Sequence, residues 1–483
     1  MPASCKKTFI SNILLMSGSM LIIRIIGMLS NIYFTSVIGA SSTGLFHIIF
    51  SVYGFAVTLS VAGTGFAVTR LISEVGASSG RVCNIIVRKS LTISITTSLT
   101  VACVLFFSRK LLSEYLFKTP DTEIAIVLLA IALPPIALSS VLRGYFTAAR
   151  KIGTLTFSQL AEEVVSIVVT IYLLSFMKNS SFGYMAIIGG IAFSAITAAV
   201  VDFVLYRICI SPNLHTGTNP IPLYKDIFSI SVPVALGAYL RSGLISAENT
   251  LIPVCLEASG TKNPLGEYGI IKGMSMYLLL FPTVFIGALA NMLVPELADK
   301  RAGKKTNGIR YVAHKAIEAT LSFAVLCSGI FLRCHNLAGE ILYHNSKVGL
   351  YLGLLSLLAI PMYLDTVVDS MLKGINQQMS SLKYNIIDSI IRIIFIWFVI
   401  PQKGVMAYIF LLYASEIFNL WLSLGRLIKV TKLKLNIYTI LKPLISGICA
   451  YIISDLICVG EIISSFVFFG VYIAVMFAFK RPQ

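Results

Sequence analysis

The chain has 483 residues, of which 57% are hydrophobic and only 12% are charged, and its mean hydropathy is +0.88. Soluble globular domains carry about 25% charged residues, so this composition excludes a soluble enzyme or a soluble binding domain. The net charge of +17 does not indicate a nucleic-acid-binding protein, because the basic residues cluster in the loops between apolar segments.

Apolar segments recur from residue 8 to residue 479, with the length of about twenty residues that a helix needs to cross about 30 Å of hydrocarbon. The alternating pattern of an outer-membrane β-barrel is absent. We therefore predict an all-α integral membrane protein with about fourteen transmembrane helices. The predicted spans are 8–36, 41–66, 86–108, 122–143, 154–176, 183–208, 226–253, 268–296, 311–333, 348–371, 382–401, 404–428, 437–458 and 460–479.

The basic residues predict the orientation of the chain in the membrane. About 26 of the 38 Lys and Arg residues lie at the termini and in the even-numbered loops, and about nine lie in the odd-numbered loops. Because cytoplasmic loops are enriched in Lys and Arg, this asymmetry predicts that both termini lie in the cytoplasm. It also requires an even number of spans.

A weak internal repeat relates spans that are six apart. Arg24 in span one corresponds to Arg241 in span seven, and the hairpin Leu142-Arg143-Gly144 corresponds to Leu372-Lys373-Gly374. An even spacing predicts a parallel repeat, with substrate sites between the repeats. The predicted domains are two six-helix lobes, 1–210 and 221–430, and two additional C-terminal helices, 437–479.

Arg24 and Arg241 lie in the middle of their spans, where a charge costs at least about 2.5–3.5 kcal/mol on insertion scales. A guanidinium stays ionised and binds phosphate with two parallel hydrogen bonds. Our hypothesis is that the two arginines face each other across a cavity between the lobes and bind a phosphate or pyrophosphate head group. The predicted substrate-binding residues are Arg24, Asn31, Arg241, Glu248 and Asn249.

Alternatives remain for these polar residues. Each arginine could instead pair with a buried carboxylate, and Glu248, seven residues after Arg241 on the same helical face, is the obvious partner. Glu248 and Asn249 could also bind a coupling cation, either H⁺ or Na⁺. Asp388 and Arg392 stand four residues apart on span eleven, which predicts an intrahelical ion pair.

Motifs for bond-breaking chemistry are absent from the sequence. There is no phosphate-binding loop of the Gly-x-x-x-x-Gly-Lys type, no His-Glu-x-x-His and no Gly-x-Ser-x-Gly. The nine cysteines and five histidines show no metal-ligand spacing. We therefore predict a transporter and not an enzyme, without catalytic residues, cofactors or a metal centre.

The segments Phe9–Gly27 and Gly44–Gly54 and the hairpin Arg143-Gly144-Tyr145-Phe146 carry a resemblance to a known group. They resemble the multidrug/oligosaccharidyl-lipid/polysaccharide (MOP) exporter superfamily, in the stage V sporulation protein B branch, which is similar to the MurJ-type lipid II flippases. The resemblance extends over essentially the whole chain. It implies that Arg24 and Arg241 are cavity arginines and that the last two helices form a groove for a lipid tail.

The resemblance implies export of an undecaprenyl-linked saccharide across the bacterial cytoplasmic membrane, as part of polysaccharide or cell-wall biosynthesis. We expect a flippase that works by alternating access on a peptidoglycan precursor for the spore cortex. MurJ-type proteins usually carry a further arginine in span two, and span two has no charge before Arg70 here, so other linked glycans remain open. A cation-coupled multidrug exporter of the same superfamily and a non-transporting scaffold for cell-wall synthesis are the alternatives.

Overall fold

The computed structural model describes residues 3–75, 80–177, 182–209, 224–434, 436–457 and 460–478. In the first helix, the side chains of residues 3–17, 19–21 and 24 lie outside the described part. The described residues contain helices and no strand. The helices are α1 (Ala3–Val61), α2 (Thr64–Val75), α3 (Gly80–Leu111), α4 (Thr122–Ala148), α5 (Ile152–Met177), α6 (Gly183–Cys209), α7 (Tyr224–Ala258), α8 (Pro264–Tyr268), α9 (Met276–Leu280), α10 (Thr283–Ala302), α11 (Thr306–Tyr343), α12 (Ser346–Leu355), α13 (Ala359–Gly374), α14 (Gln378–Thr431), α15 (Ile437–Leu456) and α16 (Glu461–Ala478).

Two of these helices are much longer than a membrane is thick. A straight helix of 54 residues, the length of α14, would extend about 80 Å, whereas the hydrocarbon core is about 30 Å thick. Gly404 in α14 and Gly39 in α1 interrupt these runs with backbone angles outside the helical region, at φ 60° and φ 80°. Glycine adopts positive φ without steric cost, so each long run is broken near its middle.

Eleven helices in the described part are long and apolar enough to cross a membrane, and the bent pair of Pro264–Leu280 with Thr283–Ala302 raises the number to twelve. The runs that contain Gly39 and Gly404 are each counted once in this number. The all-α membrane architecture is thus confirmed, whereas the number of fourteen spans stays a prediction.

The chain forms two compact units. Unit 1 comprises residues 1–38 and 45–250, and unit 2 comprises residues 39–44 and 251–483. In unit 1, buried apolar side chains of α2, α3, α4 and α6 form one core, which includes Ile72, Ile86, Leu142 and Tyr206. In unit 2, α15 and α16 pack on α11 through Val325, Ala450 and Phe468. The predicted lobes, 1–210 and 221–430, and the additional helices, 437–479, stay predictions.

At each of the two predicted hairpins, a glycine allows two helices of the same unit to approach closely. In unit 1, a Cβ on Gly144 would lie 2.5 Å from the carbonyl oxygen of Gly65, so α4 and α2 are in backbone contact. In unit 2, a Cβ on Gly374 would lie 2.9 Å from the carbonyl oxygen of Val294, which brings α13 against α10. A larger residue would force these helices apart. The contact in unit 1 fixes the position of Arg143, the neighbour of Gly144.

Candidate functional site

Helix α7 carries three of the predicted site residues and packs in unit 1 against the second half of α1. Three hydrogen bonds join them: Tyr239 Oη to Leu59 O at 3.3 Å, Thr58 Oγ1 to Ser242 Oγ at 3.2 Å, and Asn249 Nδ2 to Ser51 Oγ at 3.0 Å. These contacts use one face of α7. Asn249 is buried through this packing, so its amide group helps to fix α7 on α1.

Arg241 lies outside this contact face. Its side chain is exposed, and it forms no hydrogen bond or ion pair of 4.0 Å or less with the residues that the structure describes. Glu248, seven residues later, is 4% exposed, and the ion pairs of the described residues do not include Arg241 with Glu248. The structure therefore leaves the Arg241 guanidinium available to a ligand, because the expected intrahelical partner does not hold it.

Arg24 and Asn31 both lie on α1. The side chain of Arg24 is outside the described part of the structure, so its contacts with the other four predicted residues stay a prediction. Three residues further along, a Cβ on Gly27 would lie 2.9 Å from Glu163 Oε1, which places this carboxylate of α5 against the backbone of α1. Asn31 is partly buried, and its Oδ1 accepts no hydrogen bond from a described residue.

A second polar site in unit 1 was not among the predicted residues. Arg143 on α4 donates hydrogen bonds to Glu162 Oε2 at 2.7 Å and Ser158 Oγ at 3.1 Å, both on α5. Its Nε donates to Asp202 Oδ2 on α6 at 3.0 Å. Asp202 is fully buried, and one guanidinium pairs with two carboxylates from two other helices. We call these four residues the Arg143 cluster.

A cavity of about 340 Å³ lies beside the Arg143 cluster. Ser139, Ser140 and Arg143 of α4 line it together with Glu162, and Val61, Ile136 and Ala195 complete the wall. The sequence contained a signal for this site, because Asp202 is the single acidic residue of the long apolar helix α6 and needs a partner. The partner, 59 residues away, could not be identified from helical spacing.

Unit 2 contains a polar cluster of different character on α13 and α14. Asn419 Nδ2 donates to Asp365 Oδ2 at 3.0 Å and to Asn385 Oδ1 at 3.3 Å. The Oδ1 atoms of Asp365 and Asn419 and the Oγ of Ser423 are buried and form no hydrogen bond with a described residue. Ser423 faces Asp365, but its hydroxyl lies outside hydrogen-bonding geometry. We call Asp365, Asn385, Asn419 and Ser423 the Asp365 cluster.

Two further carboxylates flank the Asp365 cluster. Asp369 accepts a hydrogen bond from Ser381 at 2.6 Å, and both oxygens of Asp388 accept from Ser415, at 2.8 and 2.9 Å. Asp388 Oδ2 also lies 3.3 Å from Arg392 Nε, which confirms the predicted ion pair on span eleven. The region thus presents more acceptor oxygens than donors, an environment that suits a cation or an added proton.

In the described part of the chain, no three His, Cys, Asp or Glu side chains are grouped so as to hold a metal ion. The oxygens of the Asp365 cluster come from one carboxylate, two amides and one hydroxyl. These are hard, weakly charged ligands, which suit an alkali cation better than a transition metal.

The residues from Gly39 to Gly44 belong to unit 2 although their flanking helical segments belong to unit 1. Ser41 Oγ accepts a hydrogen bond from Asn263 Nδ2 at 2.9 Å. A Cβ on Gly269 would lie 2.1 Å from Ala40 O, and one on Gly44 would lie 2.0 Å from Leu265 O. Only glycine permits this approach, so the bend of α1 is held tightly against α8.

The family model described as "Polysaccharide biosynthesis protein" matches residues 9–300. The stage V sporulation protein B of Bacillus subtilis (strain 168) is 22% identical over 421 residues, which is 83% of this chain and 80% of that protein. These matches confirm the resemblance to the stage V sporulation protein B branch.

Solved structures show the same fold. The lipid II flippase MurJ in its inward closed conformation matches with a TM-score of 0.75 and 13% identity, covering 97% of this chain and 99% of the flippase. An inward-facing multidrug resistance MATE family transporter of the MOP superfamily matches with a TM-score of 0.62 and 14% identity, covering 85% and 99%. The similar proteins are thus a flippase and a transporter, in agreement with the prediction that this chain is a transporter and not an enzyme. The chain is a multi-pass membrane protein with the MurJ- and MATE-like fold.

Proposed function

The chain belongs to the polysaccharide biosynthesis protein family, and on that premise we propose that it is a flippase for a lipid-linked saccharide. It moves an undecaprenyl-linked precursor across the bacterial cytoplasmic membrane by alternating access, with both termini in the cytoplasm. A peptidoglycan precursor is the proposed cargo, and the spore cortex is its proposed destination. The similarity to stage V sporulation protein B and to MurJ supports this cargo.

The exposed guanidinium of Arg241 is the observation that carries the proposal. The residue lies in an apolar helix long enough to cross a membrane, and no described side chain neutralises it. A cation in that position needs water or an anionic ligand, because its burial in lipid is costly. A pyrophosphate provides two adjacent phosphates, each able to accept paired hydrogen bonds from a guanidinium.

In this proposal the five predicted residues act as a head-group site on α1 and α7. Arg24 and Arg241 bind the pyrophosphate, Asn31 and Glu248 contact the polar groups of the head group, and Asn249 positions α7 through its hydrogen bond to Ser51. The polyprenyl tail stays in the lipid along the last two helices, α15 and α16. Membrane lipid is therefore part of the binding environment, and nucleic acid is not a partner.

We further propose that a coupling cation, H⁺ or Na⁺, binds at the Asp365 cluster. The buried oxygens without donors would be stabilised by a bound cation or by protonation of Asp365. This cluster belongs to unit 2 and the head-group residues belong to unit 1, so the cation and the head group are held by different side chains in this proposal.

Translocation by the purified chain in vesicles tests the function. Fluorescently labelled lipid II, a teichoic-acid precursor and a capsule precursor are compared, and we expect lipid II to cross fastest. The double substitution Arg24→Ala with Arg241→Ala should abolish transport while the protein still reaches the membrane, and Lys110→Ala, an exposed cation at the end of α3, is the control.

Other outcomes would replace the proposal. Full activity of the double variant would disprove the head-group site. Drug export without movement of any lipid-linked saccharide would identify a multidrug exporter. Complementation by the double variant in cells, together with no transport by the wild-type chain in vesicles, would identify a scaffold.

A further inference from the structure

Unit 1 contains a further cavity at the ends of α3 and α6, away from the residues assigned above. Its volume is about 380 Å³, within the range of sites for small ligands. Three side chains of its wall are apolar, Val87, Leu91 and Phe203, and the remaining four are Asn84, Arg88, Tyr206 and Arg207. The cavity thus combines an apolar wall with two cations.

The polar wall of this cavity is ordered by contacts within unit 1. Tyr206 is 5% exposed, and its hydroxyl donates a hydrogen bond to Asn84 Oδ1 at 3.1 Å. The ring of Tyr206 also meets Tyr145 edge to face, with centroids 5.0 Å apart. Arg207 lies over the ring of Phe203, 5.2 Å from its centroid. This stacking restricts the position of one guanidinium.

The two arginines have no counter-ion among the described residues. Neither Arg88 nor Arg207 forms an ion pair there, and Asp202, the acid on α6 five residues before Arg207, is bound to Arg143. Two unpaired guanidinium groups beside one cavity favour a doubly coordinated anion such as a phosphate.

The surroundings of the cavity are those of a membrane interface. Arg88 lies near the start of α3, and Arg207 lies near the end of α6. On α6, the side chains of Val200 and Val204 are each at least half exposed. In the predicted orientation this end is cytoplasmic. Basic pockets between transmembrane helices on that side bind anionic lipid head groups, and the neighbouring apolar surface accepts acyl chains.

We propose that this cavity binds the phosphodiester head group of an anionic phospholipid. Arg88 and Arg207 hold the phosphate, Tyr206 and Asn84 form the polar wall, and the acyl chains lie on the exposed face of α6. The site is separate from the proposed head-group site of the transported substrate and does not depend on transport.

Native mass spectrometry of the full chain in detergent tests the site by titration with phosphatidylglycerol. The double substitution Arg88→Ala with Arg207→Ala should weaken binding at least about 100-fold, since a charge-assisted hydrogen bond to the phosphate contributes about tenfold or more from each arginine. The matched control, Lys89→Ala with Lys225→Ala, removes two charges at the same end of unit 1 from residues outside the cavity, and it should change binding less than twofold. Arg88→Lys with Arg207→Lys should give an intermediate loss, because lysine keeps the charge without the paired donors.

Phosphatidylcholine, glycerol 3-phosphate and inorganic phosphate distinguish the source of the phosphate. We expect phosphatidylglycerol to bind at least tenfold more tightly than each of them. Equal binding of phosphatidylcholine would overturn the anionic specificity, and equal binding of inorganic phosphate would show a site for a free anion. Unchanged affinity of the double alanine variant, or an equal loss in the control, would overturn the site.

Discussion

The two polar clusters, one in each unit, differ in how their charges are satisfied. In the Arg143 cluster, one guanidinium donates to two carboxylates and a hydroxyl, at distances of 2.7 to 3.1 Å. In the Asp365 cluster, an amide provides the donors, and three buried oxygens receive none from described residues. In the first cluster both carboxylates are bound by a cation, and Asp202 Oδ1 is its one buried oxygen without a described hydrogen bond, whereas the second cluster has three such oxygens and no described cation.

This difference teaches that buried carboxylates in a membrane protein have two distinct uses. A carboxylate with a fixed arginine stabilises the fold by joining helices, and its removal leaves an uncompensated charge. A carboxylate among amide and hydroxyl oxygens, such as Asp365, is the kind for which we propose binding of a cation or a proton. The same distinction separates the arginines of unit 1, because Arg143 is bound on three sides and Arg241 has no described partner.

The largest expected effect follows from removing the shared cation of the Arg143 cluster. Arg143→Ala leaves Glu162 and Asp202 without a counter-ion and should lower the free energy of unfolding by about 3 kcal/mol. Denaturation of the purified chain in mixed detergent micelles measures the loss. Adding Glu162→Gln and Asp202→Asn should recover more than half of it, and a triple variant as unstable as the single one would contradict the electrostatic account.

Arg241→Ala should have the opposite effect to Arg143→Ala, because it should impair transport and leave stability nearly unchanged. Since no described side chain pairs with Arg241, we expect its removal to change the free energy of unfolding by less than about 0.5 kcal/mol. Transport should fall between about tenfold and a hundredfold, the value of a hydrogen-bonded charge on the substrate. A vesicle translocation assay measures transport, and denaturation of the same sample measures the free energy of unfolding. A large loss of stability with normal transport would show that Arg241 is structural.

Asp365→Asn should remove the response of the protein to the coupling cation. A ligand at ten times its Kd stabilises the folded state by about 1.4 kcal/mol, and this variant should lose that stabilisation in sodium titrations or in acid, whichever cation acts. Glu162→Gln is the matched change in unit 1. An equal loss of cation response in both variants would mean that the Asp365 cluster is not the site.

The smallest effect is expected at an exposed ion pair of unit 1. Arg70 and Glu74 lie 2.9 Å apart on α2, and both side chains are more than half exposed. Arg70→Ala should change stability by less than about 0.5 kcal/mol, because solvent screens such pairs. Comparison with Arg143→Ala in the same denaturation assay would show that burial and shared coordination, and not charge alone, give the large effect.

The sequence predicted those features that depend on local spacing. Apolar segments gave the all-α membrane fold, and the i, i+4 spacing gave the ion pair of Asp388 with Arg392. The same reasoning offered Glu248 as a partner for Arg241, and no such pair forms, because positions seven residues apart are separated by about 10 Å along the helix axis.

Contacts between distant helices could not be predicted in this way. Arg143 meets Asp202 across 59 positions of sequence, and Asp365 meets Asn419 across 54. Both pairs depend on how α4, α6, α13 and α14 pack, which periodicity does not specify. A single charge within an apolar helix predicts that a partner exists, but only the fold identifies it.

The assignment of residues 39–44 to unit 2 has a mechanical consequence. The polypeptide passes between the units after Ile38, after Gly44 and after Thr250. At the first passage Gly39 has positive φ, and the space around its Cβ position is open. Rotation about the backbone bonds of Gly39 therefore has a low steric cost. At the third passage α7 continues without a break to Ala258. The passages after Gly44 and after Thr250 both lie within unbroken helix, so a bend at either place would strain the backbone hydrogen bonds of that helix.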